Sequence, residues 1–471
     1  MSAFAVLAVV VWLAAPAAAN VALVKVSSDP YTNSSSQHRT EVEPDTFAFG
    51  STIVSAFQVG RIFGGGSANI GFATSNNSGG TWVGGFLPGI TVNQGGPFTA
   101  ASDPSVAFDA RHGVWLISSL VLNSSGAAGV VTSRSTDAGR SWGNPVTTAT
   151  GALDKNWIVC DDTASSPFYG HCYTEYDISG SGNAIRLRTS TDGGLSWGPS
   201  RASSDGAAGL GGQPVVRPNG TVIMPYLASN GQIRSFRSID GGTSWRASVL
   251  VASPTTHHVA GGIRVDADLP SAEVDAAGTV YVAFYDCRFR SGCSSNDILI
   301  SRSTSETTWA APVRVPIDAT SSTADHFVPG LGVDRSASGS TARLGLTYYF
   351  YPTANCTAST CQLNVGYISS TNGGTSWSSA TQLAGPMTVS WLPNTSQGRM
   401  FGDYISTSVL PAGPAFPVLP VAKTPSGGLF DLAMYLPTGG LSVTGGSARS
   451  AGSTATPPLT TARTATPHIV Q

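Results

Sequence analysis

The sequence is short of charge. Asp, Glu, Lys and Arg make up 11% of its 471 residues, against roughly a quarter in an ordinary soluble protein. Lysine occurs only at positions 25, 155 and 423, and the formal net charge of −2 leaves no basic field for a nucleic acid. No long apolar run follows residue 19, so no membrane span is expected in the mature chain. Cys-x-x-Cys does not occur and the histidines are scattered, which argues against a zinc site. A phosphate-cradling Gly-rich loop, a metalloprotease helix and a Gly-x-Ser-x-Gly elbow are also missing, and the enzyme classes built on them go with them.

What is present points to export. Residues 4–19 form an apolar stretch that ends in small residues, and it predicts a bacterial-type signal peptide cut after Ala19, although no Lys or Arg precedes it. The six cysteines fall into three close pairs, Cys160 with Cys172, Cys287 with Cys293 and Cys356 with Cys361. An even count in local pairs on an exported chain predicts three short-loop disulfides and an extracellular location.

The strongest pattern is a repeat. Ser135-Thr-Asp137-Ala-Gly139-Arg-Ser-Trp142 recurs closely at Ser190 to Trp197 and Ser238 to Trp245, and with Asn77 and Asn372 in place of Asp at Ser75 to Trp82 and Ser370 to Trp377. A shortened copy ends at Trp309, so tryptophans recur every 48 to 68 residues, the mark of an array. Each position has turn chemistry. A short Asp or Asn side chain accepts nearby backbone N–H groups, Gly supplies a positive φ, and Trp offers a large apolar face to a neighbouring unit.

This motif resembles the Asp box, or BNR repeat, of the sialidase superfamily and related propellers. The resemblance covers residues 40 to 437 and implies an all-β propeller of four-stranded blades. A second repeat runs out of phase with the boxes, with strand starts near Glu43-Pro44-Asp45, Asp103-Pro104, Asp154-Lys155-Asn156-Trp157, Gln213-Pro214, Asp268-Leu-Pro270, His326 to Pro329 and Gly402-Asp403-Tyr404. Seven starts and six boxes favour seven blades over six, with the N-terminal segment Val21 to Val26 completing the last and leaving no open edge. The domain plan is then a leader at 1–19, a propeller at 20–437 and a Gly, Ser, Thr and Pro-rich tail at 438–471, expected to be disordered.

If the boxes join third to fourth strands, the strand starts open on the opposite face, and the informative residues gather there. In the sialidase superfamily an arginine triad holds the substrate carboxylate, an Asp is the acid/base, and a Tyr activated by a Glu is the nucleophile. Phe401-Gly-Asp403-Tyr404-Ile-Ser406 resembles the strand start that bears this Tyr, which implies Tyr404 as nucleophile, Asp403 beside it, Asp268 as activating carboxylate and Asp103 as acid/base. Arg61, Arg288 and Arg399 are candidate anion contacts, without a full triad motif. Trp157, Lys155, His326 and Asp45 complete the expected sugar-binding mouth.

Three functions compete. The first is a secreted, monomeric, exo-acting glycoside hydrolase on a terminal acidic sugar, with no required cofactor and calcium only as a structural ion. The second is a polysaccharide lyase using His326 with Tyr349 or Tyr351. The third is a non-catalytic module that binds glycan, calcium or protein, because fold alone does not fix function.

Overall fold

The computed structural model describes residues 21–265, 269–446 and the backbone of 448–449; the expected leader, Asp268 and the end of the tail lie outside the described residues. The fold is all-β, and helix among the described residues is limited to short 3-10 turns. Pairing between the described strands is antiparallel and forms eight sheets, two of them two-stranded ribbons; the other six, with the eight-stranded one taken as two, make up units 1 to 7. Their leading strands are Glu41–Phe49, Ala100–Asp109, Leu153–Cys160, the short pair Gly209–Leu210 and Val215–Val216, Ser271–Val274, Asp325–Val333 and Ser406–Val409. A single bridge, Ser67 to Ala101, joins units 1 and 2 into one sheet. Leading strands of successive units touch, and Ser406–Val409 in turn touches Glu41–Phe49.

The first described strand joins unit 7. The N-terminal strand Leu23–Lys25 pairs antiparallel with Leu432–Pro437, with Val24 opposite Leu436. Residues after 437 continue along the sheets: Leu441 bridges Ala415, and Thr444 exchanges hydrogen bonds with the Ser369 hydroxyl.

The sequence pattern explains the packing. Val280–Asp286 reads as a continuous apolar run because both its faces are buried. Successive side chains point to opposite faces, so Val280, Val282 and Phe284 join a core with Val215, Ile223 and Ile233 of unit 4. Tyr281, Ala283 and Tyr285 join another with Leu344 and Leu346 of unit 6. The sheet of unit 5 is thus cemented to both neighbours.

The repeated octapeptides behave as turn chemistry requires. In unit 2, Ser141 N–H and Arg140 N–H donate to Asp137 Oδ1 at 2.9 and 3.1 Å, and Gly139 N–H donates to Ser135 Oγ at 2.9 Å. Gly139 has φ 78° and sits so close to Val54 that a Cβ would lie 2.8 Å from its methyl group. The turn therefore packs on unit 1, and Trp142 packs there too, 5.8 Å from the Phe72 ring. All three expected disulfides are present: Cys160–Cys172, Cys287–Cys293 and Cys356–Cys361.

Candidate functional site

In four leading strands the register slips at the same place. Val42 faces Gln58 but Asp45 faces Ala56, and the same slip follows Ser102, Asp154 and Phe327. Each is a β-bulge, a device that re-aims a side chain. The first bulge residue has left-handed backbone in every case: Glu43 at φ 53°, Asp103 at 44°, Lys155 at 48° and Val328 at 47°. Pro44, Pro104 and Pro329 come next, where the bulge relieves a strand of its N–H requirement. Unit 4 carries Gly211 at φ 59°, two residues before Gln213, which accepts the Ala272 N–H as Asp45 accepts that of Val106. Leu269 stands two residues before Ser271, whose hydroxyl accepts the Leu331 N–H in the same manner.

The charged members of this series meet in one buried cluster. Lys155 Nζ lies 2.5 Å from Asp403 Oδ2, 3.5 Å from Asp103 Oδ1 and 3.9 Å from Glu43 Oε1. Arg264 Nη2 donates to the same Asp403 oxygen at 2.6 Å. Glu43 accepts from Gln58 Nε2 and from the Asp403 N–H. Arg61, from the second strand of unit 1, is buried; its Nη1 donates to Gly66 O at 2.6 Å while Nε has no hydrogen-bond partner. Behind Lys155, Asp154 and Asp177 face each other across unit 3, with Glu175 two positions along. Each of these three carboxyls has one buried oxygen without a hydrogen bond.

Burial sets the protonation of the cluster. It pushes the Glu43 carboxyl up to about 8, with the Asp103 charge adding to it, and Asp154 up to about 7 for the same two reasons. Glu175 and Asp177 are raised well above the carboxylate range, again by burial first and then by their acidic neighbours. For Lys155, burial opposes the charge, but Asp103, Asp403 and Glu43 outweigh it and hold the ammonium above its ordinary range. Burial first, and then the nearby Arg264 charge, lower Arg61 to about 10.

Two pockets meet at Lys155. The first is small and more apolar than polar: Trp157, Leu269, Pro270, Val328, Pro329, Tyr404 and Ile405 form its walls with Gly211 and Gln213, and Lys155, Asn156, Ser271 and Asp403 complete it. The second is polar and is lined by Arg61, Arg264, Glu43, Asp103 and Asp154 with the loop Gly64 to Gly66 and the turn at Ser396 and Gln397. Tyr404 stands between the two chemistries. Its hydroxyl donates to Pro104 O at 3.1 Å, its ring lies edge-on to Trp157 at 5.0 Å, and burial holds the phenol well above its usual range, with the Glu43 and Asp103 charges adding to it.

Of the residues singled out from sequence, Tyr404, Asp403, Asp103, Lys155, Trp157 and Arg61 come together here. Others lie apart. Asp45 is buried in the wall, tying unit 1 to unit 2 through the Val106 N–H, and burial lifts it to about 7. Arg288 is held by Asp286 at 2.5 Å and by Ser253 O. Arg399 donates to Leu392 O, while its backbone pairs with Gly262 and Arg264 and so fixes the segment that delivers Arg264. His326 stacks on Phe350 and lies 3.8 Å from Asp318. Asp297, Asp318 and His326 have the spacing of a metal site, yet Arg290 and Arg314 place guanidinium groups 2.5 to 2.8 Å from both carboxylates and already supply the positive charge. Tyr349 stacks on Phe401 and donates to Pro420 O, inside the core. Arg264 escaped the sequence reading, because it sits in the irregular stretch before unit 5, out of phase with both repeats.

No family model matches the chain, and no curated protein matches it by sequence. Among solved structures, a polysaccharide lyase, an ulvan lyase, aligns over 93% of this chain and 100% of its own at 12% identity, with a TM-score of 0.51. The same lyase bound to GlcA(1-4)Rha3S gives 0.52 over the same shares at the same identity. A Hadza microbial sialidase aligns over 85% of this chain and 66% of its own at 12% identity, with a TM-score of 0.42. At these identities the lyase likeness shows a shared fold and leaves function to the site.

Proposed function

We propose that the protein is a secreted, seven-bladed propeller enzyme of the glycoside hydrolase type, acting on a terminal acidic sugar at the Lys155 cluster. The cyclic contact of seven leading strands and the pairing of Leu23–Lys25 with Leu432–Pro437 support the architecture. Three disulfides suit an oxidising compartment, and no helix among the described residues is long and apolar enough to cross a membrane.

The observation that carries the functional reading is the meeting of Arg61, Lys155 and Arg264 with Glu43, Asp103 and Asp403 where a polar pocket joins an aromatic-walled one. The two guanidinium groups and the ammonium are the anion contacts for a sugar carboxylate. Glu43, whose carboxyl burial lifts to about 8, is the general acid that protonates the leaving oxygen. Tyr404 is the nucleophile, and its proton leaves through the cluster carboxylates as the glycosidic bond breaks. Water then releases the sugar.

A lyase is the second reading, favoured by one observation: the fold shared over 93% of the chain with an ulvan lyase. Incubating the full chain with sialosides and with uronate-containing polysaccharides, and following both released monosaccharide and the ultraviolet absorbance of an unsaturated product, separates the two. Absorbance without free sugar overturns the hydrolase reading. Neither signal overturns both.

A further inference from the structure

The loop at the mouth of the polar pocket carries one bulky side chain. After Arg61 the chain reads Ile62-Phe63-Gly64-Gly65-Gly66, and the three glycines line the pocket without a side chain to fill it. Gly66 has φ 66°, and a Cβ there would meet Ala100, Leu122 and the Ala101 carbonyl at 3.1 to 3.2 Å. Phe63 is 52% exposed and pairs with no other ring among the described residues, whereas Phe49, also exposed, lies 4.5 Å from the Phe108 ring. Ile62 is held extended by its bridge to Ser36, so Arg61 and Phe63 leave the chain on the same face. Arg61 enters the polar pocket from that face, and Phe63 stands at the rim. The Phe63 carbonyl accepts the Ser396 N–H at 3.1 Å, which fixes the loop against the turn that also lines the mouth.

An exposed apolar side chain is common and needs no explanation by itself. The pocket behind this one supplies the second observation. Arg61 Nε and Arg264 Nε are both buried and have no hydrogen-bond partner, and orphaned charged donors of this kind call for an acceptor. The pocket is small, with room for about one water, so it takes an anionic oxygen and excludes a ring. Burial raises Glu43 and Asp154 toward their uncharged forms, which lessens their repulsion of an entering anion.

We infer that Phe63 is the platform on which the ring of an acidic sugar stacks, outside the polar pocket, while a carboxylate oxygen on that ring reaches in to Arg61 and Arg264. The inference rests on the reading of the Lys155 cluster as the acidic-sugar site and adds the residue that holds the ring. The C–H face of a pyranose is apolar and lies flat on an aromatic ring, and guanidinium N–H groups take the anion in charge-assisted hydrogen bonds. Sialate and uronate both offer a ring with a carboxylate on it, and the test tries each.

The full chain is titrated, with binding followed by NMR, against N-acetylneuraminate and against glucuronate, free sugars that neither a hydrolase nor a lyase step consumes. At least one is expected to bind. Phe63→Ala and Phe63→Leu are each expected to weaken that binding at least about fivefold, with an unchanged melting temperature because the side chain is exposed. Phe63→Tyr keeps the flat ring and is expected to bind within about twofold of the native chain. Full affinity in the Ala or the Leu variant overturns the platform and leaves the proposed function standing. Equal loss in all three variants, Tyr included, assigns Phe63 to loop structure and also overturns it. Binding of neither sugar to the native chain overturns the acidic-sugar reading and this inference together.

Discussion

Replacing Lys155 with Met removes one ammonium and keeps a side chain of similar length. Asp403, Asp103 and Glu43 then share a buried space in which Arg264 still donates to Asp403. Breaking a buried ion pair from one side costs about 3–5 kcal/mol, because the charge left behind has lost its water. Here the loss depends on pH. Glu43 is already raised to about 8, so the folded state holds a proton that the unfolded chain releases near pH 4.5. Stability therefore falls as pH rises between those values, and removing Lys155 extends the same behaviour to its acidic neighbours. At pH 5 the orphaned carboxyls take up protons and soften the loss; at pH 8 they cannot do so without cost. Urea unfolding followed by tryptophan fluorescence at the two pH values is expected to show the larger deficit at pH 8, approaching the full ~3–5 kcal/mol. An equal deficit at both pH values, or none at pH 8, refutes the role of Lys155 as counter-charge to the cluster.

Tyr404→Phe is expected to lower release from a fluorogenic sialoside at least a hundredfold, while the melting temperature moves little, because one hydrogen bond to Pro104 O contributes about 1 kcal/mol. Turnover that persists in the variant removes Tyr404 as nucleophile. With Glu43 as the acid, kcat/KM should hold at neutral pH and decline as the pH passes about 8, where its proton is lost; a decline confined to below pH 6 would assign the acid elsewhere. Gly212→Ala places a Cβ 1.9 Å from Met224 Cε and 2.9 Å from Glu175 Cδ. Overpacking of this kind costs ~1–3 kcal/mol, read as a lower thermal midpoint, and an unchanged midpoint would show that the Met224 side chain moves aside.

Much of the fold is legible in the sequence because its signals are local. Asp137, Gly139 and Trp142 each have a short-range task, a cap, a left-handed turn and a contact with the next sheet, so their spacing alone gives the phase of the strands. The Xaa-Pro pairs at Glu43, Asp103 and Val328 likewise mark strand starts, although nothing in them announces the bulge that turns those side chains inward. The site is less legible because its partners are distant in sequence. Lys155 finds Asp403 across 248 residues, and Arg264 arrives from a connection without repeat phase. Arg288 and His326 have the right residue type for an anion or sugar contact, yet Asp286 and Phe350 engage them locally in units 5 and 6. Charge type was readable; which charges meet was not.

The strand Leu23–Lys25 lies beside Leu432–Pro437, so the first described strand of the chain pairs with the last strand of unit 7. That contact has the greatest loop to close, and its ordering cost falls after every other unit can already have folded. Until then, unit 7 exposes a bare strand edge that can pair with another molecule. Chain completion and folding are coupled through this one pairing: a chain that stalls before residue 432 leaves Leu23–Lys25 unclaimed, however well its earlier sheets have formed.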